Sequence, residues 1–171
     1  MFLFSNKCLH VNGVQMTINE SELIQKEITV RNVRLTAEVL ETRRASIRWL
    51  ALSLGILNPG ESRLGALAVL DALVHFQFVK KTDPGVKEMM EYIGSNWEPI
   101  NEKTLRYHLL RFKKMGIVEN GQGTFCFKKP GIGDRFDALI WSAGLFNSDY
   151  KEISEKIGEV VRSIQEKGTH A

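Results

Sequence analysis

Two kinds of apolar spacing follow one another along the middle of the chain. Between residues 61 and 115, apolar positions recur every three or four residues, which is the spacing of helices with one buried face. Between residues 117 and 127 they alternate with polar positions on either side of Asn120-Gly121-Gln122-Gly123, a pattern typical of a short β-hairpin. The spacing therefore predicts a mainly α fold with a small β-hairpin (α+β), in which three helices precede two strands.

The N-terminal third predicts a single long element. Residues 20–57 contain no proline and no glycine before Gly55. Their apolar positions follow a 3/4 spacing and form one stripe, in which Arg44 is the single polar interruption. This pattern predicts one long amphipathic helix over 20–57, with at most one break. Residues 1–19, with Asn12-Gly13 at their centre, predict a short hairpin or an arm.

The next two helices differ in how much polar surface they carry. After Asn58-Pro59-Gly60, a helix is expected to begin at Glu61 or Ser62 and to run to about Phe76. It is apolar on almost every side, so it should be a central helix that other elements cover on more than one face. A further helix should begin at Pro84, capped by Asp83, and end near Gly94.

Local chemistry specifies a tight turn and another helix over 95–115. Pro99 disfavours a helical conformation in the residue before it, and the side chain of Asn101 can then cap the helix that follows. Gly116 stands where a left-handed residue would end that helix. The buried side of this helix is expected to consist of Leu105, Leu109 and Phe112.

Residues 132–171 predict two more helices, over about 134–146 and 149–167. The second carries an apolar stripe made up of Ile153, Ile157, Val160, Val161 and Ile164. The unit at 58–131 is too small to cover both this stripe and that of residues 20–57. We therefore expect the two terminal regions to form the interface of a homodimer.

Composition and charge narrow the possible functions. The chain has 171 residues, 43% of them apolar and 25% charged, which is typical of a folded globular protein. Its net charge is +3, and the positive charge is concentrated in 101–131, which contains seven basic and two acidic residues. Such a concentration favours a polyanion-binding surface.

Further features predict a cytoplasmic protein. The apolar start of the chain is too short for a signal peptide, and charged residues interrupt every later apolar run before it could span a membrane. Cys8 and Cys126 match no metal-binding spacing, so both are interpreted as small reduced hydrophobic residues.

The stretch from Thr104 to Val118 resembles the recognition helix and first wing strand of prokaryotic winged-helix transcription regulators of the ArsR and MarR kind. Those proteins show a Thr/Ser-apolar-x-x-His-Leu-x-x-Leu-x-x-x-Gly-Leu-Val pattern. The corresponding residues here are Leu105, His108, Leu109, Phe112, Gly116, Ile117 and Val118. The resemblance implies a winged helix-turn-helix domain over 58–131, with extra N- and C-terminal helices, and a sequence-specific DNA-binding transcription regulator.

A helical wheel supports a DNA-binding role independently of that resemblance, because basic residues and an aromatic lie opposite the buried stripe. We expect Arg106 and Tyr107 to contact bases, whereas Lys103, Arg111 and Lys114 contact phosphates of double-stranded DNA. Thr104 at the start of the pattern and Lys128 and Lys129 at the base of the wing complete the predicted site. The wing tip has no cation, so insertion into the minor groove is not expected.

Other interpretations of the same residues remain open. A basic helix face can simply be solvated, or it can dock an acidic protein within a transcription or replication assembly. The second group of cations, Arg31, Arg34, Arg43, Arg44 and Arg48, could contact the DNA backbone, although ion pairing with Glu38 and Glu41 is the favoured interpretation. His108 is interpreted as a structural hydrogen-bonding residue. The sequence shows no nucleophile–base motif, phosphate-binding loop or metal cluster, so neither an enzyme nor a cofactor is predicted.

Overall fold

The computed structural model describes residues 20–25 and 27–168, and the predicted N-terminal arm or hairpin at 1–19 lies outside this range. The described chain is mainly helical, with eight α-helices, one π-helical segment and a two-stranded antiparallel sheet. The α+β class expected from the sequence is therefore confirmed. A single core of buried apolar side chains, drawn from residues between Ile47 and Leu145, holds these elements together.

The prediction of one long helix over 20–57 is wrong. In the described residues, the region instead contains α1 (Glu20–Leu23), a segment over 27–36 with neither helix nor strand, α2 (Ala37–Glu41) and α3 (Arg43–Ser53). Thr42 separates the last two, because its backbone is extended (φ −129°, ψ 142°) and its hydroxyl accepts the amide of Ala45 at 3.1 Å. A threonine side chain that caps a new helix ends the continuity of the preceding one.

The segment over 27–36, called the strap below, is held by hydrogen bonds to the end of α3 and to the residues that follow it. Arg31 donates through its side chain to the carbonyls of Leu52 (3.0 Å) and Leu57 (2.8 Å). Its backbone amide also donates to the carbonyl of Ser53 at 2.9 Å. The guanidinium thus connects the strap to carbonyls at and after the end of α3, so tertiary hydrogen bonds hold the strap.

The central helix expected from the sequence is present as α4 (Leu64–Val74), and every residue from Ala66 to Leu73 is buried. It contacts α3 and the two helices that follow, α5 (Val86–Asn96) and α6 (Glu102–Lys114), which confirms that several elements cover it. The chain continues as a π-helix (His75–Lys80) and leaves it through Lys81 in the left-handed region (φ 57°). The helical path is therefore longer than predicted.

The next helix, α5 (Val86–Asn96), begins later than the predicted Pro84. Gly85 is its N-terminal cap, and its amide donates to the carboxylate of Glu88 at 2.8 Å. Asp83 was expected to be the cap, but its carboxylate pairs with Arg135 at 2.9 Å instead. The competing tertiary ion pair explains the error.

The hairpin joins β1 (Val118–Gly121) to β2 (Thr124–Phe127), as the alternating pattern predicted. It is also tied to the chain before α5, because Gly85 forms a β-bridge with Thr124 and the amide of Phe125 donates to the carbonyl of Pro84 at 2.9 Å. The apolar pattern does not predict this third strand-like contact, because a single bridge has no alternating pattern.

Two helices follow the hairpin. The first, α7 (Ala138–Gly144), starts four residues later than predicted because Asp137 caps it, accepting from the amides of Leu139 and Ile140. Trp141 of this helix packs against Phe127, with 4.7 Å between ring centroids. The second, α8 (Asn147–Gly168), agrees with the predicted 149–167 to within two residues at each end.

Candidate nucleic-acid interface

The predicted recognition helix is α6 (Glu102–Lys114), and local bonds determine both of its ends. The side-chain oxygen of Asn101 accepts the amide of Thr104 at 2.8 Å, which confirms the predicted cap. Gly116 has φ 73°, in the left-handed region that ends a helix most readily at glycine. Leu105, Leu109 and Phe112 are at most 2% exposed, so the predicted buried stripe is confirmed.

The opposite side of α6 is open to solvent. Its central line consists of Lys103, Tyr107, Leu110 and Lys114, which follow a 4/3/4 spacing and are all exposed. Arg106 and Lys113, also exposed, flank this line on one side. We call these six residues the α6 outer face. It presents four cations around one aromatic and one aliphatic side chain.

Two of these cations have weak partners on the protein. Arg106 pairs with Glu102, one turn earlier, at 2.7 Å, and both side chains are more than half exposed. Lys113 donates to the side chain of Asn120 in β1 at 2.6 Å. Exposed pairs one turn apart contribute only about 0.3–0.5 kcal/mol, so a stronger acceptor such as a phosphate or a base edge can displace Glu102.

Arg111 stands apart from the other predicted phosphate contacts. It is only partly exposed, and its Nη2 donates to the carbonyl of Ile56 at 2.7 Å, between α3 and α4. The sequence placed Arg111 on the outer side of α6, whereas the structure places it at the edge next to the strap. The pattern alone could not show this, because the position lies between the two faces of the wheel.

The other predicted DNA contacts also include both exposed and partly buried side chains. Lys129 is exposed at the base of the hairpin, whereas Lys128 is partly buried and pairs with Asp149 of α8 at 3.3 Å. Thr104 is partly buried, close to the start of α4. The structure therefore brings Lys103, Arg106, Tyr107 and Lys114 together on one face and leaves Thr104, Arg111, Lys128 and Lys129 at its margins.

His108 packs between α6 and the beginning of α4. It is 7% exposed, and a Cβ added to Gly65 would lie 3.2 Å from its Nε2. Burial lowers the pKa of His108, and the nearby charges of Arg111 and Arg63 lower it further. Its buried Nδ1 has no hydrogen-bond partner among the described residues, so the structure supports a packing role more than the expected hydrogen-bonding one.

Sequence reasoning missed two cations that the structure places near α6. Lys113 was not among the predicted DNA contacts, although it is exposed beside Arg106 on the wheel. Arg63 immediately precedes α4 and lies close enough for its charge to act on His108. Its position depends on where α4 begins, which the apolar pattern does not specify to within two residues.

The second group of arginines has structural partners rather than those expected. Arg43 forms an ion pair with the buried Asp71 at 2.7 Å, and the side chains of Arg44 and Arg48 donate to the carbonyls of Asn96 and Glu61. Arg44 also lies 4.2 Å above the ring of Trp97. In the described part of the chain, no ion pair joins these arginines to Glu38 or Glu41.

Comparisons with known proteins provide no assignment, since no protein family, curated protein or solved structure matches the chain. Within residues 20–25 and 27–168, no group of histidine, cysteine and acidic side chains could hold a metal ion. In the same part of the chain, no helix has the length and apolar character needed to cross a membrane.

Proposed function

We propose that residues 64–127 form a winged helix-turn-helix domain and that the protein is a sequence-specific DNA-binding transcription regulator. The observation that carries the proposal is the α6 outer face, where four cations surround Tyr107 and Leu110 on a capped helix. The helix follows a tight turn after α5 and precedes a hairpin anchored at Gly85. This is the order of elements in DNA-binding domains of that type.

The dimensions of α6 suit the major groove of B-form DNA. Its 13 residues extend about 20 Å, and the groove, about 12 Å wide, admits a helix. In the proposed complex, Arg106 and Tyr107 contact base edges, and Lys103 and Lys114 contact phosphates. Leu110, which lies on the central line of the outer face, is suited to contact a thymine methyl group.

The proposed regulator is a homodimer held together by α8. Tyr150, Ile153, Ile157 and Val160 of α8 are between 44% and 61% exposed, so the described chain does not cover this stripe. Their 3/4/3 spacing is that of positions a and d in a coiled coil. A two-fold pair of α8 helices would bury these residues and would hold two α6 helices against a palindromic site.

A second candidate function is docking to an acidic protein, and the exposure of Tyr107 (58%) and Leu110 (54%) favours it. Aromatic residues between cations are also typical of protein interfaces. In this alternative, the same α6 outer face would bind a negatively charged surface with an apolar centre. Selectivity among DNA sequences distinguishes the two candidates.

The test is selection of duplexes from a random library by the purified full chain, followed by competition. We expect enrichment of a two-fold symmetric sequence. In fluorescence anisotropy, unlabelled selected duplex should then displace labelled selected duplex from the protein far better than a scrambled duplex does. An acidic polypeptide such as poly-glutamate serves as a control competitor. Equal displacement by selected duplex, scrambled duplex and poly-glutamate would contradict the proposed function and favour the docking alternative.

A further inference from the structure

Arginine side chains from three elements meet at the segment over 56–63, which lies between α3 and α4 and is called the α3–α4 loop below. Each of them donates to a backbone carbonyl of this loop, namely Arg31 of the strap at 2.8 Å, Arg48 of α3 at 3.0 Å and Arg111 of α6 at 2.7 Å. A fourth arginine, Arg63, belongs to the loop itself, whose one acidic residue is Glu61. Glu27 of the strap lines a cavity together with Arg111, so four cations face two acids, and such a surface attracts anions.

Arg63 is the member of this group that is best placed to bind an external anion. Its side chain is 47% exposed, and it pairs with the carboxylate of Glu61 at 3.4 Å. A pair that is so long and so exposed contributes little to stability, so a phosphate can compete with Glu61 for the guanidinium. Arginine carries five N–H donors in a planar fork and can donate two of them to one phosphate.

Glu61 is the internal competitor of such a phosphate. Its carboxylate accepts from the backbone amide and from the side-chain amide of Asn58, both at 3.1 Å. These two bonds lower the pKa of Glu61, and the charges of Arg63 and Arg111 lower it further. The carboxylate is therefore ionised at neutral pH and offsets part of the positive charge that DNA would meet at the loop.

The α3–α4 loop and the hairpin flank the α6 outer face on opposite sides. On one side of α6, Thr104 lies against the start of α4, because a Cβ added to Gly65 would be 3.6 Å from its Cγ2. Gly65 follows Arg63 by two residues. On the other side of α6, Lys113 donates to Asn120 of the hairpin at 2.6 Å. The bond of Arg111 to the carbonyl of Ile56 joins the loop to α6, so the loop keeps its position beside the helix.

This arrangement matches the two walls of a major groove. An α-helix with its side chains is about 10–12 Å across, and the groove is about 12 Å wide, so the phosphates of the two strands lie along the two sides of an inserted helix. We propose that the α3–α4 loop is a second DNA-contacting surface, in which Arg63 binds a phosphate of one strand while Lys113, on the hairpin side of α6, faces the other strand. This inference rests on the proposed function.

The test neutralises one phosphate at a time. The full chain is titrated with copies of the selected duplex, each with a single uncharged methylphosphonate linkage. We expect that the unmodified chain loses affinity by about fivefold or more at particular positions on both strands of each half-site. Arg63→Gln should bind the unsubstituted duplex weaker by a similar factor and should become insensitive to methylphosphonate at positions on one strand. Lys113→Gln should become insensitive at positions on the other strand.

Lys151→Gln on the exposed surface of α8 removes the same charge far along the chain and is the matched control. It should keep the affinity and the sensitive positions of the unmodified chain. If Arg63→Gln keeps the full set of sensitive positions, Arg63 contacts no phosphate and the proposal is overturned. Loss of sensitivity on the same strand in Arg63→Gln and Lys113→Gln would overturn it as well, because the two residues would then not face opposite strands.

Glu61→Gln provides a test that does not depend on the folding of Arg63→Gln. Removal of the competing carboxylate should strengthen duplex binding by about two- to fivefold at low salt, since the phosphate no longer displaces an ion pair. The glutamine oxygen can still accept from Asn58, and urea unfolding checks that the loop is intact. Glu159→Gln, which removes the same charge from α8, should change the affinity little. Equal affinity of Glu61→Gln and the unmodified chain would contradict a phosphate site at the loop.

Failure of this inference is distinguishable from failure of the proposed function. Sequence-selective binding that ignores Arg63→Gln would leave α6 as the DNA-binding helix and remove the loop from the interface. Absence of duplex binding by the unmodified chain would overturn both. Displacement of the duplex by poly-glutamate that depends on Arg63 as strongly as duplex binding does would assign the loop to an acidic protein and overturn the proposal.

Discussion

Asp71 shows how one residue can connect three helices. It lies in the middle of the most apolar helix and is 2% exposed, yet its Oδ2 accepts from Nε1 of Trp97 at 2.8 Å and from the hydroxyl of Tyr92 at 3.1 Å. Its Oδ1 pairs with Arg43 of α3 at 2.7 Å. Burial and the nearby negative charge of Asp71 raise the pKa of Tyr92, which keeps the hydroxyl available as a donor.

We expect Asp71→Asn to lower the free energy of unfolding by about 1–3 kcal/mol. The amide keeps the shape but turns an NH₂ group towards donors that need an acceptor, and it removes the charge paired with Arg43. That ion pair adds little, because the side chain of Arg43 is 47% exposed. Urea unfolding measures the change, and Glu91→Gln on the exposed side of α5 is the matched control. Equal stability of the two variants would contradict this account of Asp71.

At the same scale, Arg106 and Lys114 should differ in what they contribute to DNA binding. Arg106→Ala should weaken binding to a selected duplex by about 1–3 kcal/mol and binding to random duplex much less, because a base contact is lost. Lys114→Ala should weaken both duplexes by similar factors, as expected for a phosphate contact. Fluorescence anisotropy with both duplexes makes the comparison. Identical behaviour of the two variants would make α6 an electrostatic platform without sequence preference.

At the scale of elements, prediction succeeded where local chemistry determines structure. Asn101, Leu105, Leu109 and Gly116 lie within one helix and its caps, so their spacing sufficed to place α6. The hairpin was also predicted correctly, because its pattern likewise lies within neighbouring residues. The long helix over 20–57 failed because the bonds of Arg31 to Leu52 and Leu57 join residues more than 20 positions apart, which no local pattern reveals. The partial burial of Arg111 was missed for the same reason, since its partner is Ile56.

The strap gives a direct test of this explanation. Arg31→Ala should lower the free energy of unfolding by about 1–3 kcal/mol, because it removes side-chain hydrogen bonds to Leu52, Leu57 and Asn58. Amide exchange over residues 27–36 should become faster. Arg34→Ala is the control, since that side chain is exposed on the same segment. Unchanged exchange in Arg31→Ala would show that other contacts hold the strap.

At the scale of the whole molecule, the exposed stripe of α8 predicts the oligomeric state. Ile153→Glu combined with Ile157→Glu should convert a dimer into a monomer, because two charges would be buried in the α8 pair without partners. Arg162→Glu, on the opposite side of the same helix, should leave the dimer intact. Light scattering at micromolar concentration gives the mass. A monomeric unmodified chain would contradict the two-fold arrangement.

The most direct test of the central claim is the salt dependence of duplex DNA binding by the unmodified protein. The α6 outer face supplies four exposed cations per chain, and Lys129 adds a fifth at the base of the hairpin. Each neutralised phosphate contributes a log–log slope of about −0.9, so a dimer that uses even half of these cations should give a slope steeper than about −4. Saturable binding of a selected duplex with such a slope is the predicted result. Absence of saturable binding at about 50 mM salt, or a slope close to zero, would contradict the assignment of α6 as a DNA-binding helix.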